Sequence, residues 1–330
     1  MIEAFRFTTT GRDPESAVQA YRELYSIGAD VLDNTDAFSA DITAHRLDRL
    51  ILFSRRLRGV GHARPPQRVV DNKFSHFVAH MVVEGELLGA EDSRFTRAGP
   101  GDIVLQDLRL PSQNRIPDGH IITVSVARDL VEAAAGTSNG LHGRLLPPER
   151  SGLLGDHLLS ISRRVDDLAY DALPTLNRTF VSLLGLAVAP TGAGPTASRR
   201  LGELERRAAA QRVIERALTN PELDAAYIIG ETGISRATLY RLLKPYGGVD
   251  HFINDRRLTA VRVTLTNRSD ITPIAELARR YCFRDEADLR SRFRDRFGMT
   301  PTAFRQMIDD PAREIEAIKR RWASWMIEVR

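Results

Sequence analysis

The sequence predicts a multidomain α+β protein: a β-rich barrel, then a helical pair, then an all-helical C-terminal part. Three observations predict it. From Asp41 to about Ala127, short aromatic and β-branched runs alternate with Gly/Pro/Asp punctuation. From about residue 129, apolar residues recur at helical spacing. Residues 225–297 then carry one helix-turn-helix pattern twice, the arrangement of a protein that grips two successive major-groove faces of a duplex.

Taken in order, Pro14 to Gly28 reads as one helix, with Asp13 as N-cap candidate, Pro14 in its first turn and Gly28 to end it. Val18, Tyr21, Leu24 or Tyr25, and Gly28 share one face. Strands are expected at Arg49–Arg55, Phe74–Val83, Ile103–Gln106 and His120–Val126. Glu84-Gly85, Gly99-Pro100-Gly101-Asp102 and Pro117-Asp118-Gly119 punctuate them as turns. Many short strands with such turns predict a sandwich or small barrel. In the helical pair, Leu154, Leu158, Ile161 and Val165 form one stripe; Leu176, Phe180, Leu183, Leu184 and Ala187 form another. Ala189 to Ser198 is small, Pro/Gly-rich and uncharged, the composition of a linker.

Beyond it, Leu201 to Leu218 reads as a charged amphipathic helix that stops at Thr219-Asn220-Pro221. Asp224 caps a short helix, Ala225 to Thr232. Gly233 then supplies the turn, Ile234 plugs the space between helices and Ser235 caps the next helix. With Leu239, Leu242 and Leu243 inward, Ser235, Arg236, Ala237, Tyr240, Arg241 and Lys244 become the candidate DNA contacts of the first unit. Ile229, Gly233 and Ile234 recur as Ala278, Cys282 and Phe283, each 49 residues later. Leu239 and Leu243 recur as Leu289 and Phe293, each 50 later, so one extra residue sits in the second turn. Ile271 to Ala278 is the first helix of this unit, with Pro273 tolerated in its opening turn. Its candidate contacts are Arg284, Glu286, Ala287, Arg290, Ser291 and Arg294, above an inward stripe of Leu289, Phe293 and Phe297. Phe252 to Leu265 joins the units as a single helix. Pro311 to Val329 is amphipathic, with Ile315, Ile318, Trp322, Trp325, Met326 and Val329 on one face. A lone helix of that length is marginal in water, so the stripe is expected to dock, on the DNA-binding part or on a partner surface.

Two resemblances follow from these residues. Val83–Leu88 with Arg97–Leu105 resembles the cupin-like sensor domain that precedes the DNA-binding domain in AraC/XylS-type regulators. Residues 210–306, closed by Arg296-Phe297-Gly298-Met299-Thr300-Pro301 and Arg305, closely resemble that family's DNA-binding domain. The resemblance implies a jelly-roll-like, cupin-like β-barrel able to hold a small effector, and a helical dimerisation element. It assigns no effector-binding residue. The chain departs from the family pattern at Cys282, where glycine is usual, and at Val261, where alanine is usual. Asp285, Glu286 and Asp288 open the second recognition helix with acids that repel phosphate unless they read cytosine amino groups. The first unit is therefore expected to carry most base reading and the second to clamp the backbone.

Charge is uneven. From residue 199 on there are 26 Lys+Arg against 19 Asp+Glu, net +7, whereas residues 1–198 are net −3. That split points to a polyanion partner for the second part only. Lysine is nearly absent (Lys73, Lys244, Lys319), so arginine carries the positive charge. One cysteine excludes an internal disulfide and fits a reducing cytoplasm. The start of the chain lacks the basic and apolar segments of a secretory leader, and no apolar run reaches about 18 residues. His76, His80 and Glu84 fall on one strand face at a spacing of four, but without the His-x-His pattern of metal-binding cupins. Phosphate-loop and Ser/His/Asp nucleophile signatures are also missing.

The expected organisation is a cupin-like sensor and dimerisation domain over 1–190, a linker at 191–198, an AraC-type DNA-binding domain over 199–306, and a C-terminal helix over 307–330. The expected function is a cytoplasmic, effector-controlled transcriptional activator and not an enzyme. It would work as a homodimer on double-stranded promoter DNA, in touch with RNA polymerase, without cofactor, metal or membrane. The alternatives are a cupin-type enzyme fused to a helical domain and a ligand-blind architectural DNA-binding protein.

Overall fold

The computed structural model describes residues 2–33, 38–72, 74–90, 94–189, 206–207, 209–266, 270–309 and 314–329. The expected linker at 191–198 and the start of the helix expected from Leu201 lie outside these residues. The chain forms two compact units. Ile2–Leu168, Thr179–Ala197 and Ile315–Arg330 make up one, and Ala169–Arg178 with Ser198–Glu314 the other.

The first unit is a ten-stranded antiparallel sheet. Its strands are β1 (Ala4–Thr8), β2 (Asp30–Asp33), β3 (Ser39–Leu47), β4 (Leu50–Arg64), β5 (Phe77–Gly85), β6 (Leu87–Gly89), β7 (Arg97–Ala98), β8 (Ile103–Asp107), β9 (Ser112–Val126) and β10 (Arg144–Leu146). They run in the order β1-β3-β4-β9-β5-β8-β10, with β2 on β4 and β6 between β7 and β9. The spine is the long pair β4 and β9, in register from Leu50↔Val126 to Arg64↔Ser112. Both strands extend well past the segments expected from sequence.

Pro117-Asp118-Gly119 is accordingly not a turn but part of β9. The ladder skips the position where Pro117 would face Gly59, which has φ +64°. A residue without an N–H fits a ladder only at such a gap. Beside it, Gly119 and Gly85 let β9 and β5 close up: a Cβ on Gly85 would lie 2.0 Å from the Asp118 carbonyl oxygen. Glu84-Gly85 closes β5 as expected, with Gly85 at φ +75° before β6 begins and a register shift between Val82 and Glu84. The Gly99–Asp102 turn forms as expected, with Gly101 at φ +88° and the Asp102 carboxylate accepting the Gly99 N–H at 2.8 Å.

Helix α1 (Pro14–Tyr25) starts at Asp13, which accepts the Ser16 N–H at 3.0 Å. It ends at Ser26, whose hydroxyl donates to the Glu23 carbonyl, rather than at Gly28. Next come α2 (Pro66–Asn72), α3 (Arg128–Ala135), α4 (Pro148–Arg164) and α5 (Leu173–Val188). The predicted stripes of α4 and α5 are buried within the chain, Leu183 only partly. Gly155 brings α4 close to Met81 of β5. Leu153 on α4 and Leu186 on α5 remain exposed.

The second unit is helical: α6 (residues 209–216), α7 (Ala225–Thr232), α8 (Arg236–Leu243), α9 (Val249–Thr266), α10 (Ile274–Arg280), α11 (Glu286–Phe297) and α12 (Pro301–Asp309). Pro273 stands just ahead of α10, at its N-cap. Ile214, Ile228, Leu239, Leu243, Phe252 and Ile253 form the core around the first helix-turn-helix.

Helix α13 (Glu314–Glu328) belongs to the sheet unit, which corrects the expectation that it docks on the DNA-binding part. Trp325 is fully buried, stacks on Phe5 of β1 at 5.4 Å, and donates from Nε1 to Glu3 at 2.6 Å. Trp322 meets Tyr25 edge-on at 4.9 Å and Phe53 at 5.6 Å. The sheet presented aromatic partners that matched the stripe.

Candidate nucleic-acid interface and ligand cavity

In the first helix-turn-helix every local signal is realised. Asp224 accepts the Tyr227 N–H at 2.8 Å and starts α7. Gly233 ends it at φ +66°, with no atom within 4 Å of where a Cβ would sit, so conformation and not space calls for glycine. Ile234 is buried between the helices, and Ser235 caps α8 through the Thr238 N–H at 3.3 Å. Leu239 and Leu243 are buried and Leu242 is half-buried. Ser235, Arg236, Ala237, Tyr240, Arg241 and Lys244 are all exposed, along one side of α8. The Arg236 guanidinium lies over the Tyr240 ring, 5.5 Å from its centroid, which preorganises two outward groups together.

The second unit repeats the plan with the extra residue in place. Cys282 takes the left-handed conformation at φ +59°, the counterpart of Gly233. Two residues, Phe283 and Arg284, then separate it from the N-cap Asp285, where only Ile234 separates Gly233 from Ser235. Asp285 accepts the Asp288 N–H at 2.7 Å; that backbone hydrogen bond, the largest cause, holds its carboxyl below the usual range. Cys282 is partly exposed, its thiol directed at the Thr219 carbonyl at 3.4 Å, rather than enclosed in the helix core. Leu289 and Phe293 are buried, Phe297 half-buried.

On the outer side of α11, Arg284, Ala287, Arg290, Ser291 and Arg294 are exposed and Glu286 is half-buried. The acids that open this helix are already paired. Glu286 takes Arg290 at 2.5 Å, Asp288 takes Arg292 at 2.7 Å, and Asp285 takes Arg284 at 3.3 Å. Each pair is exposed or nearly so and adds little stability. Their effect is on charge: they neutralise arginines that would otherwise face a phosphate backbone.

Other arginines are spent inside the unit, so the charge count overstates the basic surface. On α9, Arg262 is buried over the Phe297 ring at 4.6 Å, and Arg256 is buried on Glu215 at 2.5 Å. Arg257 donates to the carbonyls of Leu218 and Asn220. Arg296 pairs with Asp255 of α9, and Arg305 donates to the Thr272 carbonyl at 2.6 Å. These contacts tie α11 to the connecting helix and α12 to the segment ahead of α10. Gly298 at φ +76° and Thr300, which accepts the Ala303 N–H, make the corner between α11 and α12.

A second feature, missed by sequence reasoning, is a cavity of about 100 Å³ in the sheet unit. Its wall includes Arg55, His62, His80, Gln106, Phe53 and, from α13, Trp322 and Met326. Arg55 is 4 % exposed and donates to Tyr25 Oη at 3.3 Å, His80 Nδ1 at 3.1 Å and Thr123 Oγ1. Its Nε is buried without a hydrogen-bond partner among the described residues. Arg64, also buried, is satisfied by the carbonyls of Leu108 and Gly28 and by Asn72. No Asp or Glu is among the lining residues. Burial and then the Arg55 charge push both His62 and His80 down to about 3, so each is a neutral ring. His80 accepts at Nδ1 and bonds Gln106 through Nε2 at 3.0 Å. His76, His80 and Glu84 do not converge: His80 faces Arg55, and Glu84 pairs with Arg56 at the surface. The sequence signal for the cavity was a set of polar residues at inward strand positions, on strands too far apart in the chain to be read together.

Comparison with known proteins agrees with this architecture. Residues 229–307 match the family model described as a helix-turn-helix domain. The chain is similar to the transcriptional activator NphR of a Rhodococcus species, 24% identical over 255 residues, 74% of this chain and 73% of that protein. In fold it resembles the crystal structure of the AraC-like transcriptional activator CuxR, with a TM-score of 0.53, 24% identity, and coverage of 78% of this chain and 94% of that one. Among the described residues no helix is long and apolar enough to cross a membrane. An antiparallel sheet unit joined to a duplicated helix-turn-helix unit is thus the architecture this chain shares with the AraC-like activator CuxR, and residues 229–307 form a helix-turn-helix domain.

Proposed function

We propose that the chain is a cytoplasmic transcriptional activator that reads promoter DNA through α8 and is controlled by a small effector in the sheet unit. One observation carries the DNA reading. Two capped recognition helices, α8 and α11, each stand on a buried stripe with a polar outer side, joined by one continuous helix. With 18 residues, α9 is about 27 Å long, on the scale of one turn of duplex. That NphR is an activator supports the sign of regulation. The cavity supports an effector over a ligand-blind architectural role. The exposed Leu153 and Leu186 support pairing of two copies through α4 and α5. Contact with RNA polymerase is part of the same reading.

Within the interface, Ser235, Arg236, Ala237, Tyr240, Arg241 and Lys244 meet base edges and adjacent phosphates. Arg284, Glu286, Ala287, Arg290, Ser291 and Arg294 hold the duplex mainly by its backbone. The Glu286–Arg290 pair favours that division, because Arg290 must leave its carboxylate before it can read guanine. The test is to replace Arg241 and Arg290 separately by alanine and measure affinity for a specific and a scrambled duplex. Arg241→Ala should cost about 1–3 kcal/mol of discrimination, while Arg290→Ala weakens both duplexes alike. Equal loss of discrimination from both would refute the division.

A further inference from the structure

We propose that the cavity of the sheet unit is a site for a small monocarboxylate with a compact apolar body, anchored on Arg55 and closed by Trp322 and Met326 of the C-terminal helix. The inference rests on the reading of the sheet unit as the sensor and names the chemistry of its ligand.

Charge is the first argument. Two guanidiniums, Arg55 and Arg64, are buried in the wall and no carboxylate lines it. A buried charge is costly unless it is paired. Arg64 is fully served by carbonyls, whereas Arg55 has only neutral partners and an unbonded Nε. Its partners are themselves well fixed. His80 is held by Gln106 and Thr123, and Tyr25 stacks on Tyr21 at 4.5 Å, so the fork is preorganised. The open Nε–H can donate a charge-assisted hydrogen bond to a carboxylate, which brings the counter-charge that the neutral partners lack. The missing charge is thus supplied by the occupant.

Shape is the second. At about 100 Å³ the space is below the roughly 150 Å³ void that takes up benzene. Phe53, Val78, Leu108 and the α13 side chains offer apolar contact, and Ser125 and Asn114 offer hydrogen bonds. A compact acid suits this wall; a sugar or a long acyl chain does not.

The third is the identity of the closing element. Trp322 and Met326 come from the segment that follows the helix-turn-helix unit in the chain, and Ser125 of β9 reaches Met326 Sδ at 3.8 Å. An occupant therefore touches side chains whose helix is joined to α12 by only a few residues.

The experiment uses the full chain, titrated with acetate, propionate and butyrate, each beside its uncharged amide. Melting temperature and tryptophan emission are followed. Both tryptophans lie on α13, so emission reports on that helix alone. We expect at least one acid to raise the melting temperature, shift the emission and bind about tenfold or more tighter than its amide. Arg55→Gln should abolish that preference while the ligand-free protein melts at the same temperature or higher. Arg55→Lys, which keeps the charge but loses the Nε donor, should retain the preference at weaker affinity, and serves where Arg55→Gln does not fold. Equal binding of acid and amide, an acid response that survives Arg55→Gln, or no response to any of the three acids overturns the proposal. Duplex binding by the same preparation, followed by anisotropy, reads the regulator proposal separately: DNA held without an acid response defeats only the carboxylate site, and an acid response without DNA held defeats only the regulator reading.

Discussion

His62 and His80 show how single residues report on the cavity wall. Both stay neutral in the fold, with pKa pushed down to about 3 by burial and by Arg55. Unfolded, each titrates near 6.5. The unfolded chain therefore binds more protons below about pH 6.5, and stability falls as pH drops from there toward 3, by up to about 1.4 kcal/mol per pH unit for each ring. Urea midpoints taken between about pH 7.5 and pH 5 should show this decline, and His80→Gln should make it shallower. A midpoint independent of pH over that range would contradict the neutral-ring assignment. Cys282 offers a second test in the helical unit. A side chain at φ +59° carries a cost of about 1 kcal/mol that glycine avoids. Cys282→Gly should therefore stabilise the unit by about 0.5–1 kcal/mol, part of the gain being offset by the greater freedom of glycine in the unfolded chain. Denaturant unfolding of the two proteins gives the answer, and a destabilised variant would mean that the thiol contact to Thr219 matters more than the strain.

Among the elements, α13 is the one whose place depends most on distant partners. Trp325 stacks on Phe5 and bonds Glu3, more than 300 residues away in sequence. Truncating it leaves a large void and removes a donor from a buried carboxylate, so Trp325→Ala should cost the sheet unit about 3–5 kcal/mol. Thermal unfolding followed by far-ultraviolet circular dichroism checks this; a loss under about 1 kcal/mol would mean that the helix is only loosely seated. The stripe of α13 was legible from Ile315 to Val329, because amphipathicity is a local property. Its partner was not, because nothing in a stripe names the surface that covers it. The same contrast separates the two recognition helices from the spine strands. Asp224, Gly233, Ser235 and Asp285 act within three or four residues, so caps and turns could be read directly. Pro117-Asp118-Gly119 carries turn chemistry yet lies in β9, because the gap opposite Gly59 and the close approach of Gly85 are tertiary facts.

For the whole molecule, sequence made the two-part organisation legible through a change of periodicity and of charge. It overstated the basic surface, since Arg256, Arg257, Arg262, Arg296 and Arg305 hold the helical unit together from within. The DNA interface is therefore expected to be concentrated on α8, with fewer phosphate contacts than a net charge of +7 suggests. Strands β4, β5, β8 and β9, far apart in the chain, are expected to act together as the ligand wall. Selection from a randomised duplex pool by the whole chain at several salt concentrations tests sequence-specific recognition by α8. We expect enrichment of one site, an affinity that falls log-linearly with salt as counterions are released, and loss of sequence preference at part of that site for Arg241→Ala. No duplex held at low salt, or an Arg241→Ala protein that enriches the same site as strongly, would contradict the claim.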